Sequence, residues 1–398
     1  MNGINVFSEI GTLKKVLVHR PGREIEFLTP NRLDELLFAA ILEPKSAQLE
    51  HDNFVNVLKN EGIEVVELAD LVAQTYSRAT SEVKSAFIEN FLNEARPELN
   101  EANYRSVKNF LLKQKSVRTM VDYMMSGILS SDFDGSASPK LIVDPMPNLY
   151  FTRDPFASVG NGVTIHYMKH PVRRREVLFS KFIFDNNEEY KDVQKLSEPK
   201  RGYNIEGGDV FIYNNHTLVL GVSDRTVLKT IESIAKKLIS DSNNKFSKIY
   251  AVNVPKLPNL MHLDTWLTMV DSDKFLYSPN MLSALKIWEI DLSKNKVVAE
   301  EKNYSLESFL FQIIHKKPVL IPVAGNKSQM DVDIETNFDA TNYLTIRPGV
   351  VVGYSRNRLT QEALRKAGVT VLSFDGNQLS LGMGSARCMS MPLVRERV

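Results

Sequence analysis

The chain has 398 residues, and at about 150 residues per domain this length predicts two to three domains, or one large domain with an insertion. Its 49 basic and 48 acidic residues leave a net charge of +1 without a long basic run, which argues against nucleic-acid binding. Hydrophobic residues make up 43% and charged residues 24%, as in soluble globular proteins, so a disordered chain is excluded.

The N-terminal segment and the cysteine content give expectations about location and chemistry. Residues 1–9 have neither the basic end nor the apolar stretch of a signal peptide, and no window approaches about 18 uninterrupted apolar residues. We therefore expect a cytoplasmic protein that does not associate with membranes. Cys388 is the only cysteine, so it can form neither an internal disulfide nor a thiolate metal cage. It is an inert buried thiol, a redox-active group or a nucleophile.

In chain order, the first predicted elements are a strand, a helix and a second strand. The β-branched run at 14–20 predicts a strand that stops at the turn Pro21-Gly22. Residues 45–60 carry apolar side chains at helical spacing and predict a helix. Residues 63–68 predict the strand that follows it.

The next stretch, residues 71–138, breaks this order. It contains no strand-like run, and its helical segments, such as 82–92 and 104–112, are separated by polar residues. We predict that it is a helical insertion between residues 1–70 and 139–398 of an α/β body.

The rest of the chain repeats one pattern, a hairpin followed by a helix and a strand. The two clearest copies span 210–254 and 343–374, with hairpin turns at Asn214-Asn215-His216 and Arg347-Pro348-Gly349. Weaker copies lie around 150–184 and 265–320. With the N-terminal unit, this gives about five units of roughly fifty residues, which favours a radial repeat such as a propeller. An ordinary mixed α/β sheet remains the alternative.

Two short motifs place acidic groups beside glycine or histidine. Glu206 and Asp209 flank a Gly-Gly pair at the start of a predicted strand, where glycine permits either a close approach to a ligand or only a tight turn. The sequence at 261–266 alternates as in a strand, so His262 and Asp264 are expected on one face. They suit proton transfer beside cation recognition, or a surface pair. A zinc site is disfavoured because no further Cys or His lies nearby in the sequence.

Two further motifs place an acid and the thiol near strands. The segment 148–155 places an acid, Asp154, and an aromatic residue at the edge of a predicted strand. Cys388 is expected to begin a strand after a glycine-rich loop, where substrate can reach it. A thiolate, a histidine and several carboxylates fit nucleophilic catalysis. Because carboxylates raise the pKa of a nearby thiol, the arrangement favours a cationic substrate, and a planar guanidinium fits best.

Together and in this order, these motifs resemble those of bacterial arginine deiminases, above all the mycoplasmal ones. The resemblance covers almost the whole chain and is carried by Val16-Leu17-Val18-His19-Arg20-Pro21-Gly22, by 144–155 and 205–209, by His262-Leu263-Asp264-Thr265 and by Cys388-Met389-Ser390. It implies a five-bladed, pentein-like α/β propeller with a helical insertion after the first blade. It also implies a homodimer whose catalytic domain comprises 1–70 and 139–398.

The resemblance also implies roles for single residues. Cys388 matches the nucleophile that attacks the guanidinium carbon, His262 the general acid and base, and Glu206 the carboxylate that orients His262. Asp154 and Asp264 match the pair that holds the guanidinium nitrogens. The residues matching the amino-acid end of the pocket are Asn148, Phe151, Arg173, Arg225 and Gly382. The implied reaction converts L-arginine and water to L-citrulline and ammonia through a covalent amidino-enzyme intermediate, without a metal or organic cofactor.

The sequence departs from the family pattern in the loop before the cysteine. Many relatives have an arginine in this loop, whereas here Met383 occupies that place and Arg387 directly precedes Cys388. We include Arg387 among the predicted substrate-binding residues.

Other functions remain open at this level. An amidinotransferase or a dimethylarginine hydrolase would share the Cys, the His and the carboxylates, but the insertion and the 148–155 segment favour a deiminase. A catalytically silent relative is disfavoured by intact Cys388, His262 and Glu206. A cysteine amidase acting on a neutral amide would gain nothing from carboxylates beside its thiol.

Overall fold

The computed structural model describes residues 3–95, 99–135, 137, 139–257, 260–294 and 296–398, and it shows a mixed α/β chain built from short sheets. Its strands are β1 (Leu13–Val18), β2 (Glu64–Glu67), β3 (Ile128–Leu129), β4 (Leu141–Val143), β5 (Phe156–Val159), β6 (Gly162–Ile165), β7 (Gln194–Ser197), β8 (Val210–Asn214), β9 (Thr217–Val222), β10 (Lys248–Asn253), β11 (Leu267–Met269), β12 (Lys274–Tyr277), β13 (Ile287–Asp291), β14 (Glu300–Lys302), β15 (Val319–Pro322), β16 (Leu344–Arg347), β17 (Val350–Tyr354), β18 (Thr370–Phe374) and β19 (Met391–Arg395).

The α-helices lie between these strands and as a group of their own after β2. They are α1 (Leu33–Leu36), α2 (Pro44–Asn60), α3 (Leu68–Arg78), α4 (Ser81–Glu94), α5 (Glu101–Leu112), α6 (Val117–Ser126), α7 (Ser131–Asp134), α8 (Val177–Asn186), α9 (Leu228–Ser240), α10 (Leu306–Ile314), α11 (Gln329–Asn337) and α12 (Arg358–Lys366). Among the described residues, no helix combines the length and the hydrophobicity that a bilayer crossing requires.

Five sheets in the described part of the chain share one strand pattern. A central strand pairs antiparallel with one neighbour and parallel with the other, in the orders β19-β1-β2, β5-β6-β7, β8-β9-β10, β11-β12-β15 and β16-β17-β18. The sheet that contains β8-β9-β10 continues from β10 through the antiparallel strands β13 and β14. The antiparallel partner is usually reached by a hairpin, whereas the parallel partner needs a longer crossover that contains a helix. The predicted hairpins around 214–216 and 347–349 are thereby confirmed.

The first sheet is assembled from both ends of the chain. Leu17 of β1 lies opposite Met391 of β19, and Asn5 forms a further bridge to Val394. The segment before β19 carries Cys388, so this pairing brings the only cysteine beside the N-terminal unit.

The helices α3–α7 form most of the predicted insertion, but they do not have a separate core. Phe87 of α4 packs against Phe182 of α8 with ring centroids 4.0 Å apart, and both belong to the core that underlies β5–β7. The N-cap residues Thr80 and Asn100 accept hydrogen bonds from backbone N–H groups and thus start α4 and α5.

One expectation for this region is wrong, because residues 71–138 do contain a strand. The two residues of β3 pair antiparallel with β4, whose partner position Val143 lies beyond the predicted insertion. Two residues are too few to show alternation in the sequence, so only the long-range pairing defines this strand. Ser138, the predicted end of the insertion, lies outside the described residues, and the division into domains stays a prediction.

Candidate active site

The nucleophile candidate lies in a turn before β19 and does not begin the strand, as the sequence had suggested. The backbone N–H of Met389 donates to Ser385 O at 3.0 Å, and that of Ser390 donates to Arg387 O at 3.2 Å, which defines the turn. The backbone N–H of Cys388 itself donates to Asn342 Oδ1 at 3.0 Å. These backbone N–H groups are therefore already bonded within the turn or to the Asn342 side chain, so they cannot pair with a neighbouring strand.

His262 and Asp264 also lie outside a regular strand. Leu263–Thr265 forms a single 3₁₀ turn before β11, in which Thr265 Oγ1 donates to His262 O at 2.7 Å. The apolar residues of this pattern, Leu263 and Trp266, are buried in the core, and their burial from the 3₁₀ turn explains the pattern without a strand. The prediction of a strand is wrong, although both polar side chains still reach the site.

Glu206 holds the imidazole of His262. Its Oε2 lies 2.9 Å from His262 Nε2 and accepts a hydrogen bond from Arg225 Nη1 at 3.0 Å. The following Gly208 allows this approach, since a Cβ there would lie 2.6 Å from the His262 ring. Gly208 thus serves close packing against the candidate base, and Gly207 serves close packing against the backbone at Arg153, where a Cβ would overlap with the carbonyl oxygen.

Asp154 faces His262 from the other side. Its Oδ1 is 3.9 Å from His262 Nδ1, and its Oδ2 accepts from Arg173 Nη1 at 2.7 Å. Arg173 also donates to Glu176, so its guanidinium is shared between two buried carboxylates. Asp154 therefore already binds one guanidinium, that of the protein itself.

Asp264 lies directly beside the thiol. Its Oδ2 is 3.4 Å from Cys388 Sγ and accepts from Arg387 Nη1 at 2.9 Å. Its Oδ1 is buried and has no hydrogen-bond partner among the described residues. An unsatisfied buried carboxylate oxygen is costly, and an N–H donor of a bound ligand would satisfy it.

Arg387 lies behind Asp264 and does not contribute to the wall of the cavity. Only 1% of the residue is exposed, and its guanidinium also donates to Val210 O at 2.9 Å and lies beside Glu9. It stacks over the Phe211 ring at 3.8 Å. These contacts give no support to the expected role of Arg387 in binding substrate; they show it fixing Asp264.

The predicted pocket residues surround one narrow cavity of about 10 Å³, which has room for roughly one water molecule. Its wall includes Asn148, Phe151, Arg173, Arg225 and Gly382, together with Asp154, His262 and Cys388. Met383 also contributes to it, as does Leu37, which sequence reasoning missed. Asn148 Nδ2 donates to Leu36 O at 2.7 Å and so fixes the segment that carries Leu37.

The surroundings of His262 and Cys388 affect the ionisation of the two groups differently. Burial alone would lower the pKa of His262, but Asp154 and the hydrogen bond to Glu206 outweigh it and raise the pKa to about 9. Burial raises the pKa of the Cys388 thiol well above its usual range, and Asp264 raises it further. With these surroundings alone, the imidazole is therefore protonated at neutral pH and the thiol is not ionised.

Asp154, Glu206 and His262 offer three potential metal-ligand atoms within 4.8 Å of one another. His262, whose pKa is raised to about 9, is protonated at neutral pH and offers no lone pair to a metal. Arg225 and Arg173 also place positive charge directly beside Glu206 and Asp154. The donor set therefore does not fit a resident metal ion.

Comparison with known proteins establishes the family. A family model described as arginine deiminase matches residues 34–395. The arginine deiminase of Metamycoplasma arthritidis (strain 158L3-1) is 55% identical over 399 residues, which cover 100% of this chain and 98% of that protein. The chain belongs to the arginine deiminase family. The family's enzyme from Metamycoplasma hominis is 56% identical over 400 residues, with the same two coverages of 100% and 98%.

Solved structures with low identity to this family member share its fold. An arginine dihydrolase from the ornithine-ammonia cycle in cyanobacteria, solved as a product-bound N-terminal domain, has a TM-score of 0.56 at 15% identity and covers 96% of this chain and 97% of that one. DDAH from Pseudomonas aeruginosa, a cysteine-to-serine mutant with citrulline, has a TM-score of 0.54 at 13% identity, covering 96% and 99%. An amidinotransferase from Microseira wollei has a TM-score of 0.55 at 13% identity, covering 100% and 98%. At these identities the similarity shows the fold alone.

Sequence reasoning missed the polar residues that hold the site from behind. Asn342 contacts the cysteine, Thr341 Oγ1 donates to Asp264 O at 3.2 Å, and Glu9 lies beside Arg387. Each of them comes from a distant part of the chain, and no motif or spacing marks them. The only available signal is a mostly polar stretch, Asp339-Ala340-Thr341-Asn342, which ends two residues before β16.

Proposed function

We propose that this protein hydrolyses L-arginine to L-citrulline and ammonia, with Cys388 as the nucleophile. The observation that carries the proposal is the presence of Cys388, His262 and Asp154 in the wall of one cavity. Buried Asp264 lies behind this wall, with its Oδ2 3.4 Å from Cys388 Sγ and its Oδ1 without a partner among the described residues. This arrangement suits a cation with several N–H donors. Relatives that are 55% and 56% identical over the full chain are named arginine deiminase.

The first half-reaction forms the covalent adduct. A guanidinium between Asp154 and Asp264 neutralises the charges that raise the thiol pKa, so the thiol can release its proton to solvent water before the site closes around the substrate. The thiolate attacks the guanidinium carbon and forms the C–S bond. Protonated His262 gives its proton to the departing nitrogen, the C–N bond breaks, and ammonia leaves the amidino group on Cys388.

The second half-reaction releases citrulline. His262, now neutral, accepts a proton from a water molecule that attacks the same carbon. The C–S bond then breaks, the thiolate of Cys388 leaves, and loss of the hydroxyl proton produces the ureido group. Glu206 keeps the imidazole oriented through both steps.

Arg173 and Arg225 are the candidates for binding the substrate carboxylate, and Asn148, Phe151 and Gly382 shape that end of the cavity. Both arginines line the cavity but are paired with Asp154, Glu176 and Glu206 in the empty site. Substrate binding therefore exchanges some of these contacts for contacts with arginine.

We also infer that the five sheets are the blades of a five-bladed α/β propeller, with 71–138 as a helical insertion into a catalytic domain of 1–70 and 139–398. The shared strand pattern supports this arrangement. So does the pairing of β19 with β1, because joining the two ends of the chain in one blade closes a radial repeat. The homodimer and the cytoplasmic location remain predictions.

The direct test supplies L-arginine and measures citrulline and ammonia, which should appear in equal amounts. Agmatine, which lacks the carboxylate, should react with a kcat/KM lower by at least about 10-fold, as expected when charge-assisted hydrogen bonds are lost. Failure to form either product from L-arginine would contradict the proposed reaction. Equal activity on agmatine would contradict only the role of the two arginines.

Asp154→Asn and Asp264→Asn should each lower kcat/KM for L-arginine by about 10- to 150-fold, since each removes a charge-assisted contact with the substrate cation. The Tm of each variant, measured with its kinetics, separates binding from folding. Glu335→Gln is a matched control, because Glu335 is a buried carboxylate that accepts the backbone N–H groups of Leu359 and Thr360 away from the cavity. Full activity per folded molecule in both Asn variants would contradict the proposal that Asp154 and Asp264 bind the substrate guanidinium.

A further inference from the structure

Asn342 contacts the nucleophile with both ends of its amide. It lies two residues before β16 and is fully buried. Its Nδ2 donates to Cys388 Sγ at 3.0 Å, and its Oδ1 accepts from the backbone N–H groups of Cys388 at 3.0 Å and Ser385 at 3.3 Å. One side chain thus fixes the sulfur atom and the turn that carries it.

The same segment holds the carboxylate beside the thiol. Thr341 Oγ1 donates to Asp264 O, and Thr341 O accepts from Thr268 Oγ1 at 2.6 Å. The backbone N–H of Arg387 donates to Asn342 O at 3.2 Å. Residues 341–342 therefore join Cys388 and Asp264, which are 124 positions apart in the chain.

The charged groups around the sulfur do not by themselves favour its ionised form. Asp264, Asp154 and Asp339 oppose the thiolate, and Arg387 favours it. Protonated His262, across the cavity, adds a second positive charge. Among the described residues, Asn342 supplies the side-chain N–H that reaches Sγ within hydrogen-bond distance. An N–H bond to a thiolate is charge-assisted and stronger than the same bond to a neutral thiol.

We propose that Asn342 is a positioning residue that stabilises the Cys388 thiolate through its Nδ2 and holds the sulfur towards the guanidinium carbon. The proposal deepens the proposed function and rests on it for the identity of the substrate. The effect on the thiol exists without substrate and is measured separately.

Two substitutions separate the donor from the anchoring oxygen. Asn342→Asp retains an oxygen for the N–H groups of Cys388 and Ser385 but replaces the donor to sulfur by a second oxygen. Asn342→Asp also adds a negative charge beside the sulfur, which alone would raise the thiol pKa. Asn342→Ala removes both contacts without adding a charge, so the midpoint of thiolate formation must rise in this variant as well, and a wild-type midpoint in folded Asn342→Ala overturns the role of the N–H. Asn187→Asp is the matched control, because buried Asn187 also donates to a side chain, Thr75 Oγ1, and accepts a backbone N–H, that of Glu189.

The readouts are the ultraviolet absorbance of the thiolate against pH, taken as a difference from Cys388→Ser, and kcat/KM for L-arginine. Since Cys388 is the only cysteine, the absorbance reports this thiol alone. In Asn342→Asp the midpoint of thiolate formation should move to higher pH by about 1 pH unit or more, and kcat/KM should fall by about 10- to 100-fold. Asn187→Asp should change neither.

The proposal is overturned if Asn342→Asp, folded as judged by its Tm, keeps the wild-type thiolate titration. It is also overturned if Asn342→Ala lowers kcat/KM while Asn342→Asp retains the wild-type value, because the oxygen anchor alone would then account for the residue. If the wild-type enzyme forms no citrulline, the proposed function fails, and the titration still decides the role of Asn342.

Discussion

Replacing Cys388 by serine is expected to lower kcat/KM for L-arginine by at least about 10³-fold. A serine hydroxyl ionises far less readily than a thiol, and the carboxylates around this site disfavour an anion further. Asp264 Oδ2 is 3.4 Å from the sulfur, so its negative charge would also oppose ionisation of a serine hydroxyl at this position. Steady-state citrulline formation measures the effect.

The Tm of the Cys388→Ser variant provides the control. Cys388 is only 4% exposed, so its replacement must fit a packed site. Serine is only slightly smaller than cysteine, and its hydroxyl can form a hydrogen bond with Asp264 or Asn342, so we expect the variant to fold. A folded serine variant within about tenfold of the wild-type rate would exclude Cys388 as the nucleophile.

Replacing His262 by alanine is expected to lower kcat by about 10²- to 10⁴-fold, the usual cost of removing a general acid and base. Both half-reactions need this group, first as the acid for ammonia and then as the base for water. With its pKa raised to about 9, His262 is protonated at neutral pH and is ready to act first as an acid.

Two measurements complete the His262 test. Glu206→Gln keeps the imidazole but removes the negative charge 2.9 Å from its Nε2, so the pKa of His262, measured by NMR titration, should fall below the wild-type value. Unimpaired turnover in His262→Ala would mean that another group transfers the protons.

Local pattern was enough to predict the regular elements of this fold. The helix expected at 45–60 is Pro44–Asn60, and the hairpin strands around Asn214-Asn215-His216 are Val210–Asn214 and Thr217–Val222. Alternation and helical spacing depend only on residues that are close together in the chain, so both can be recognised from a single sequence. The closing of β19 onto β1 is a pairing between the two ends of the chain, which no local pattern expresses.

In the site, too, residue types could be predicted from the sequence, whereas contacts between distant residues could not. Cysteine, histidine and paired acids are chemically distinctive, so the sequence and its family resemblance could name Cys388, His262 and the acids as candidates, and their catalytic roles stay predictions. The expected strands at His262 and Cys388 were wrong because contacts from distant residues determine the backbone there, as with Asn342 and the N–H of Cys388. The contacts of Arg387 were equally hidden, since they depend on Glu9 at the other end of the chain.

The central claim is that the reaction passes through an amidino group bound to Cys388. The most direct measurement is intact-mass spectrometry of the enzyme quenched with acid during turnover of L-arginine, with wild-type, His262→Ala and Cys388→Ser samples compared. We predict an added mass equal to arginine less ammonia, present on the wild-type enzyme, retained longer on His262→Ala and absent from Cys388→Ser. Citrulline formation with no such adduct in wild type or His262→Ala, or the same adduct on Cys388→Ser, would contradict the account.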